Sequence, residues 1–454
     1  MSRELLVDKA VSRAEPAAIG LAGVVAVSIG NFLVAFDATA VYVALPSVTA
    51  DLHAGTAAGQ WFLDAYTIAL SVFLLASGAL GDRVGAARVY RWSLLAFLLA
   101  SVACAAATAP AQLIAARAVQ GVSASFALPM TLAILTKGVP DPVRRSRTIG
   151  AWGVVGGVGI ASAPILSGLI TGYLGWRWLF LINAPVCLIA LVLLRSFRDR
   201  PADRPARFAP GPQALLCVVL VAIASVLIEG HEIGYADPWI VALAAVAFAG
   251  VVALGWLQVR SAQPMIPRAL SGNRSFLLIV FGGGCYQFAS YGSLLVLSLY
   301  LQRVHGMSVQ RAGYALLVCC LAWFGGNVLA LRVTPANRRT VIIAMATTGA
   351  LGALATAALS QTGNLTVTMI PTAAIGLAAG LLASSLSAAT MHVAPAEVSG
   401  SASGLLNTSR QCGMALAIAA LGAMATGSLP APMLLIGAAF AVVAGVGVAV
   451  RAAV

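Results

Sequence analysis

Residues 17–45 read AAIGLAGVVAVSIGNFLVAFDATAVYVAL, a run with a single charged side chain, Asp37. A helix needs about 20 mostly apolar residues to cross the hydrocarbon core of a bilayer. This stretch therefore predicts a transmembrane helix. Similar apolar stretches follow as far as the C-terminus, and we count about fourteen of them by the same length rule. The sequence predicts an all-α integral membrane protein.

The composition supports the same class of protein. Hydrophobic residues make up 60% of the chain and charged residues 9%, with a mean hydropathy of +0.95, whereas soluble domains carry about 25% charged residues. The net charge of +13 would suggest nucleic acid as a partner of a soluble protein. Here the basic residues lie in short loops between apolar runs, where they orient helices and contact anionic lipid. We therefore expect a lipid bilayer and no nucleic acid as the partner.

The Lys and Arg residues also predict the orientation of the chain. If the N-terminus is cytoplasmic, the outer loops hold only Arg177, Arg303 and Arg311, and the spans hold Arg117 and Arg410. The rest of the 27 basic residues fall on cytoplasmic segments, as the positive-inside rule requires. An odd error in the number of spans would reverse the later loops and remove this bias.

Two six-helix halves joined by a central insertion are the predicted layout. Such halves are typical of transporters that rock around a site near the bilayer midplane. Both termini are expected in the cytoplasm, and the polar N-terminus lacks the pattern of a signal peptide. The predicted segments are a cytoplasmic tail (1–16), an N-terminal six-helix bundle (17–195), a cytoplasmic linker (196–211), an inserted two-helix hairpin (212–258) and a C-terminal six-helix bundle (259–454).

No residue pattern indicates a cofactor. The seven cysteines lie in apolar runs without a CxxC pair, which indicates small hydrophobic side chains and neither a disulfide framework nor a metal site. The four histidines show no ligand spacing. Nothing resembles a nucleotide-binding loop, which argues against an ATP-driven pump.

Six motifs occur in order along the chain. Residues 36–46 read FDATAVYVALP, which resembles the D-x-T-x-V-x-V-A-L-P pattern at the end of the first span in the fourteen-spanner drug:proton antiporters of the major facilitator superfamily. Five further segments resemble motifs of that family or superfamily: QWFLDAY (60–66), GALGDRVG (78–85), RAVQG (117–121), WRWLFLINAP (176–185) and NTSRQCG (407–413). Each match alone is weak, but together they cover nearly the whole chain.

The resemblance implies a major facilitator fold in the inner membrane of a bacterium. It also implies export of hydrophobic and in some cases cationic drugs or antibiotics in exchange for protons, by a protein that acts as a monomer. Its loop motif implies a conformational role for Gly78, Asp82, Arg83, Gly85 and Arg88. Ala86 and Ala87 depart from that motif, which normally continues with basic residues. The antiporter motif of the fifth span retains Gly150, Gly159, Pro164 and Gly168, whereas Ala163 and Ser167 replace two of its glycines.

Charged residues at bilayer depth cost at least about 2.5–3.5 kcal/mol each on insertion scales, so the few present need an explanation. Asp37 lies past the middle of the first span, and its charge can change with its surroundings, as proton coupling requires. Arg117, at the start of the fourth span, could pair with ionised Asp37, or it could extend to the outer surface of the membrane. Asp64 is equally compatible with an outer rim and with a cavity. Beyond Asp237 the remaining acid is Glu397, in a predicted loop, so a proton carrier is expected in the N-terminal half.

Aromatic, Met and amide side chains suit bulky and variable ligands. Each single one is more often in contact with lipid or core. The candidates for a substrate cavity are Trp61, Tyr66, Phe126, Met130, Tyr286, Tyr291, Asn407, Arg410 and Gln411, with structural and cavity roles equally open for the last two.

Two other functions are compatible with the sequence, and a third is disfavoured. The chain could be a dedicated exporter of an endogenous metabolite or antibiotic, because specificity depends on the shape of the cavity. It could be a transport-inactive sensor or scaffold, which the altered loop motif allows and the presence of Asp37 and Arg117 disfavours. A membrane-embedded enzyme would need clustered acids or histidines, and the acids here are dispersed, so we expect no enzymatic activity.

Overall fold

A computed structural model describes residues 19–139, 141–195, 197, 210–261, 264–395, 398–425 and 428–450. The predicted tail 1–16, both chain ends and nearly all of the linker 196–211 lie outside these residues. The described part is helical almost throughout. It forms two bundles and a hairpin that packs against both of them.

The N-terminal bundle contains five long helices and a sixth that is broken at Ile182. The break follows five residues of the WRWLFLINAP segment, and the two pieces together are apolar enough to span a membrane. The helices are α1 (Leu21–Asp51), α2 (Thr56–Val84), α3 (Ala86–Ala106), α4 (Pro110–Gly138), α5 (Pro142–Tyr173), α6 (Arg177–Leu181) and α7 (Asn183–Leu194). Within the bundle α1 packs on α5, and α4 packs on both α2 and α3.

The hairpin and the C-terminal bundle complete the chain. The hairpin is α8 (Pro210–Ile233) and α9 (Pro238–Arg260). The C-terminal bundle contains α10 (Arg268–Ser271), α11 (Arg274–Leu299), α12 (Val309–Ala315), α13 (Leu317–Leu329), α14 (Arg338–Leu359), α15 (Leu365–Met369), α16 (Thr372–Val393), α17 (Ser399–Met424) and α18 (Pro430–Ala449). Here α11 packs on α17 and α18, while α16 packs on α13 and α14.

The predicted number of spans is confirmed only in part. Eleven of the described helices are long and apolar enough to cross a membrane, and the bent pair Val309–Ala315 and Leu317–Arg332 makes twelve if it is one span. The sequence predicted about fourteen. The difference lies in α11 and α17, which have 26 residues each but do not pass the same test of apolarity. Gly, Ser and Tyr interrupt α11, and α17 carries Asn407, Arg410 and Gln411.

The hairpin covers the line where the two bundles meet along α2 and α17. Leu220, Ala224 and Ile228 of α8 form one apolar cluster with Ile68 of α2 and Ala415 of α17, among others. By contrast α9 is mostly exposed, with Phe248 and Trp256 on its surface. Exposed apolar side chains on a membrane helix are expected to face lipid. One hairpin helix therefore packs against both bundles and the other faces the bilayer.

Candidate functional site: a buried ion pair in the N-terminal bundle

The predicted pairing of Asp37 with Arg117 is present. Arg117 Nη1 lies 2.5 Å from Asp37 Oδ2, and each side chain is 1% exposed. The sequence placed Arg117 at the start of the fourth span. In the structure α4 begins at Pro110, so Arg117 lies two turns into the helix. Its head group is fully buried, so the alternative in which it extends to the outer surface of the membrane does not describe this structure.

Further donors and acceptors complete the surroundings of the pair. The Arg117 guanidinium donates from Nε to the Phe62 carbonyl at 3.0 Å and from Nη1 to Gln120 Oε1 at 2.9 Å. Asn183 Nδ2 donates to Asp37 Oδ1 at 3.0 Å. The Ser101 hydroxyl accepts from Gln120 Nε2 at 2.8 Å. A buried ion pair is tolerated only when extra hydrogen bonds satisfy its remaining atoms, and residues of α2, α3, α4 and α7 supply them.

Aromatic rings enclose the guanidinium. The Tyr66 ring centroid lies 4.3 Å from Arg117 Cζ, and the Phe180 centroid lies at 5.8 Å. Such contacts favour the cation electrostatically and exclude water from it. Arg117 therefore keeps partners on several sides, whereas the Asp37 carboxylate depends on Arg117 and Asn183.

Asp64 is buried more deeply than expected. It lies in the third turn of α2, is 0% exposed, and neither carboxylate oxygen has a hydrogen-bond partner among the described residues. The outer-rim alternative is therefore wrong for this structure. The hydroxyls of Tyr42 and Tyr66 are also buried without a described partner. Buried polar groups in proteins nearly always have partners, so these atoms mark a place where a proton, water or ligand group is needed.

The two bundles are joined by hydrogen bonds at the end that the Lys and Arg distribution predicts to face outside. Ser298 Oγ donates to the Tyr42 carbonyl at 3.1 Å, and Gln302 Nε2 donates to the Val43 carbonyl at 2.9 Å. Pro46 of the FDATAVYVALP segment explains the first bond. Proline has no N–H, so the carbonyl four residues earlier, that of Tyr42, lacks its usual helical donor. A side chain from the other bundle replaces it, as membrane helices with internal proline require.

Gln60 makes a second contact at the same end. Its Nε2 donates to the carbonyls of Ile418 and Ala419 in α17 at 3.3 Å each. We use the term outer interface for the contacts of Gln60, Ser298 and Gln302 with the opposite bundle. With these contacts formed, Asp37, Asp64 and Arg117 are all buried from solvent.

The motif of the fifth span lies in α5 and connects two helix contacts. An added side chain at Gly159 would come 2.9 Å from the Phe32 carbonyl of α1, and one at Gly168 would come 2.9 Å from the Val309 carbonyl of α12. Gly150, by contrast, has open space around it. Close packing is therefore present at Gly159 and Gly168 and absent at Gly150. The Gly168 contact crosses between bundles.

The two altered positions of that motif still fit a close helix contact. Ser167 is fully buried, and its Oγ donates to the Ala40 carbonyl of α1 at 2.6 Å. Ala163 is fully buried in a small cluster with Phe36 and Ala40. Because a hydroxyl can bond to backbone across a helix pair, Ser167 adds a hydrogen bond that glycine would not make.

The loop motif forms a tight turn between α2 and α3. Gly85 has φ +99°, a backbone conformation that favours glycine, and α3 starts at the next residue. Gly78, Arg83 and Arg88 are exposed, and Asp82 is half-buried with no ion pair to a described residue. The conformational role of this motif stays a prediction.

The candidates for a substrate cavity have different surroundings in the structure. Tyr66 lies against the ion pair, and Tyr286 has its ring 5.5 Å from Arg410 Cζ. Arg410 Nη2 also donates to the Ala383 carbonyl at 2.6 Å. Tyr291 packs edge-on against Trp323. The remaining candidates are Trp61, Phe126 and Met130, which pack in hydrophobic clusters, and Asn407 and Gln411, which are partly buried.

Three polar side chains around the ion pair were not singled out from the sequence. Gln120 and Asn183 stand inside motifs that were quoted for the resemblance, so their motif positions were a usable signal. Ser101 had none, because a serine in an apolar helix is common. Among the described residues no group of His, Cys, Asp or Glu could hold a metal ion.

Solved structures with the same fold are membrane transporters. The chain resembles a peptide transporter of the POT family solved with sulfate, with a TM-score of 0.68, 16% identity and coverage of 97% of this chain and 96% of that one. It also resembles a bacterial homologue of the human lysosomal transporter Spinster in an inward-facing, occupied conformation, with a TM-score of 0.62, 17% identity and coverage of 95% and 96%. At these identities the likeness concerns the fold.

Relatives by sequence are named as resistance proteins. The chain is 35% identical to the puromycin resistance protein of Streptomyces alboniger over 73% of this chain and 66% of that protein. It is 30% identical to the methylenomycin A resistance protein of Streptomyces coelicolor over 68% and 66%, and 30% identical to the multidrug resistance protein Stp of Mycobacterium tuberculosis over 64% and 55%. The chain thus spans just under two thirds of the first two relatives and about half of the third.

The family model described as Major Facilitator Superfamily matches residues 27–418. This match covers most of the chain and includes every motif quoted above. The expected resemblance to drug and antibiotic resistance transporters is confirmed by the names of the relatives. The family match and the candidate spans show a multi-pass protein of the cell membrane. The chain belongs to the major facilitator superfamily.

Proposed function

We propose that the protein is a secondary active transporter that exports hydrophobic compounds, lipophilic cations among them, in exchange for protons by alternating access. The observation that carries the proposal is the buried pair of Asp37 and Arg117. Intramembrane ionisable residues are rare and mark proton or substrate pathways. The names of the relatives support drugs or antibiotics as the exported compounds.

The carboxylate is the proton carrier in this proposal, since arginine does not lose its proton in proteins. A proton that binds at Asp37 Oδ2 neutralises the carboxylate and removes its ionic attraction to Arg117. Arg117 then retains the Phe62 carbonyl and Gln120 as acceptors. Release of the proton restores the ion pair. The two charge states thus differ in the force that holds α1 to α4.

Asp64 is the second ionisable group that the proposal uses. An ionised carboxylate without a donor or a cation is costly when buried, and Asp64 has no described partner. It would therefore bind either a second proton or the positive group of a substrate. This requirement supports lipophilic cations as substrates and makes Asp64 the candidate for their recognition.

Alternating access would proceed from the conformation described here. The outer interface is closed and the acids are buried, so proton exchange needs a different conformation. We further propose that α11 and α17 also cross the membrane, which gives fourteen spans with cytoplasmic termini, and that the protein acts as a monomer. Burial of α11 against neighbouring helices would allow its polar residues at membrane depth.

The experiment follows proton movement in energised everted vesicles. Puromycin, a lipophilic cation and a neutral antibiotic are added in turn while the internal pH is recorded by a fluorescent dye. We expect compound-induced proton release with the wild type and none with Asp37→Asn. Asp51→Asn provides the matched control, because Asp51 lies on the same helix but is an exposed residue paired with Arg177. Equal proton release from Asp37→Asn and the wild type would refute the assignment of Asp37.

Two alternatives predict other results. A dedicated exporter of one endogenous metabolite or antibiotic would respond to none of the panel except its own substrate. A transport-inactive sensor or scaffold would give no proton release with any compound, although the inserted protein would be present at normal levels.

A further inference from the structure

A cavity lies outside the ion-pair site, between the hairpin and the C-terminal bundle. Its volume is about 380 Å³, and its walls are formed by the first turns of α8, the last turns of α9, the segment after α9, and parts of α11 and α17. It therefore lies near the two chain ends of the hairpin. Ligand pockets for drug-sized molecules usually measure about 300–1,000 Å³, so this cavity can hold a small organic molecule.

The lining defines the chemistry of an occupant. Leu216, Leu254, Val280 and Leu405 are typical of the walls, and none of the described lining residues is charged. A molecule with a net charge would lose its hydration there without gaining a counter-ion, which is unfavourable. The cavity is therefore complementary to an uncharged, lipophilic molecule.

One polar side chain in the lining needs a partner. Thr408 is 7% exposed, and its hydroxyl has no hydrogen-bond partner among the described residues. The neighbouring polar groups are already used: Ser409 Oγ donates to the Val280 carbonyl, and Gln258 bonds to the backbone N–H and carbonyl of Ile266. A buried hydroxyl that lacks a partner indicates a missing hydrogen-bonding group. The occupant should therefore carry one such group.

The position of the cavity connects it with transport. Its wall at Thr408 and Cys412 belongs to α17, the helix whose Arg410 bonds to Ala383 and lies beside Tyr286 in the C-terminal bundle. On its other side the cavity is bounded by α9, whose side chains face lipid, Trp256 among them. A lipophilic molecule that enters from the bilayer would thus be one helix away from the interior of the C-terminal bundle.

We propose that this cavity binds exported compounds that are uncharged and lipophilic, with one hydrogen bond to Thr408, before they enter the transport pathway. The inference rests on the proposed function, and it adds a site that is separate from Asp37, Arg117 and Asp64. Charged lipophilic compounds would not use it, because the lining offers them no counter-ion.

Gly255 allows a direct test. It lines the cavity, and a side chain added there would meet no atom within 4 Å. Gly255→Leu should therefore occupy part of the cavity without displacing its neighbours. Gly445→Leu is the matched control, since Gly445 is an exposed helical glycine in α18 with equally open surroundings. Thr408→Val removes the hydroxyl while keeping the size of the side chain.

The probe is N-phenyl-1-naphthylamine, a neutral lipophilic dye with one N–H group that fluoresces when bound. Binding is measured on purified protein in nanodiscs, with empty nanodiscs subtracted, and export of the dye and of ethidium is measured in everted vesicles. We expect Gly255→Leu to weaken dye binding at least about tenfold and to raise the half-saturating dye concentration for export. Loss of a single hydrogen bond in Thr408→Val should weaken binding about fivefold. Gly445→Leu should match the wild type, and retained ethidium export shows that a variant is folded.

Other results would overturn the proposal. If Gly255→Leu binds and exports the dye as the wild type does, the cavity is not its site. If the wild type carries a copurified phospholipid that Gly255→Leu lacks, while dye binding and export are unchanged, the cavity is a structural lipid site. If the wild type binds the dye in this cavity but exports neither dye nor ethidium, the proposed transport function fails and the binding site remains.

Discussion

The outer interface gives a prediction that can be worked out from single atoms. Ser298 donates to the Tyr42 carbonyl, which lacks a helical donor because residue 46 is proline. Ser298→Ala removes the donor and leaves the carbonyl unpaired as long as the bundles stay closed. Pro46→Ala would supply the missing helical N–H. We therefore expect the cost of Ser298→Ala to depend on the residue at position 46.

The magnitude follows from the hydrogen bond and from the unpaired carbonyl. Loss of a buried partner costs about 1–3 kcal/mol, which shifts the equilibrium between closed and open outer ends about 5- to 150-fold toward the open form. In the Pro46→Ala background the Tyr42 carbonyl keeps a partner. The same serine substitution should then cost less than about 1 kcal/mol, so a double-mutant cycle should give a positive coupling of up to about 3 kcal/mol.

The assay measures distances between spin labels on the two bundles. Thr108 and Thr362 are exposed residues at the ends of the N-terminal and C-terminal bundles that are predicted to face outside, and labelled cysteines there report opening in a background without the native cysteines. We expect Ser298→Ala to increase the population with long distances, and Pro46→Ala to reduce this effect. An equal increase in both backgrounds would refute the reasoning that the proline creates the need for Ser298.

Other substitutions test the remaining contacts. Gly168→Leu places a side chain against the Val309 carbonyl, so we expect the same labels to show a more open outer end, and unchanged distances would contradict this packing. Asn183→Ala removes one of the two residues that bond to Asp37. It should lower the free energy of unfolding by about 1–3 kcal/mol and reduce the export rate. If neither quantity changes, the bond has no role. Arg177→Ala breaks an exposed ion pair and should cost less than about 1 kcal/mol, so clearly reduced export by this variant would indicate a function for the outer pair that we do not assign.

The sequence predicted an all-helical membrane protein because most of the spans are long apolar runs, with basic residues near the ends that are predicted to be cytoplasmic. It predicted α11 and α17 as ordinary spans, although both contain many small and polar residues. Such residues need neighbouring helices as partners, and those partners come from distant parts of the chain. A length rule applied to one segment at a time does not include these partners.

The pairing at the site was predictable, and its surroundings were not. Asp37 and Arg117 are rare charges in apolar runs, so each had to find a partner. The sequence left the depth of Asp64 open, because its burial depends on neighbouring helices that cover the first turns of α2. Ser101 gave no signal, since serine side chains in membrane helices usually bond within their own helix.

The hairpin has a mechanical consequence. The Glu232 carboxylate accepts a hydrogen bond from the Ala57 N–H at 2.8 Å, which ties the outer end of α8 to the first turn of α2. At its other end the hairpin borders the C-terminal bundle. If the bundles rock as the proposed function requires, we expect the hairpin, which packs against both of them, to move through the acyl chains next to α9. Each cycle of the proposed transport would then do work against the bilayer, and we expect membrane viscosity and lateral pressure to set part of the turnover rate.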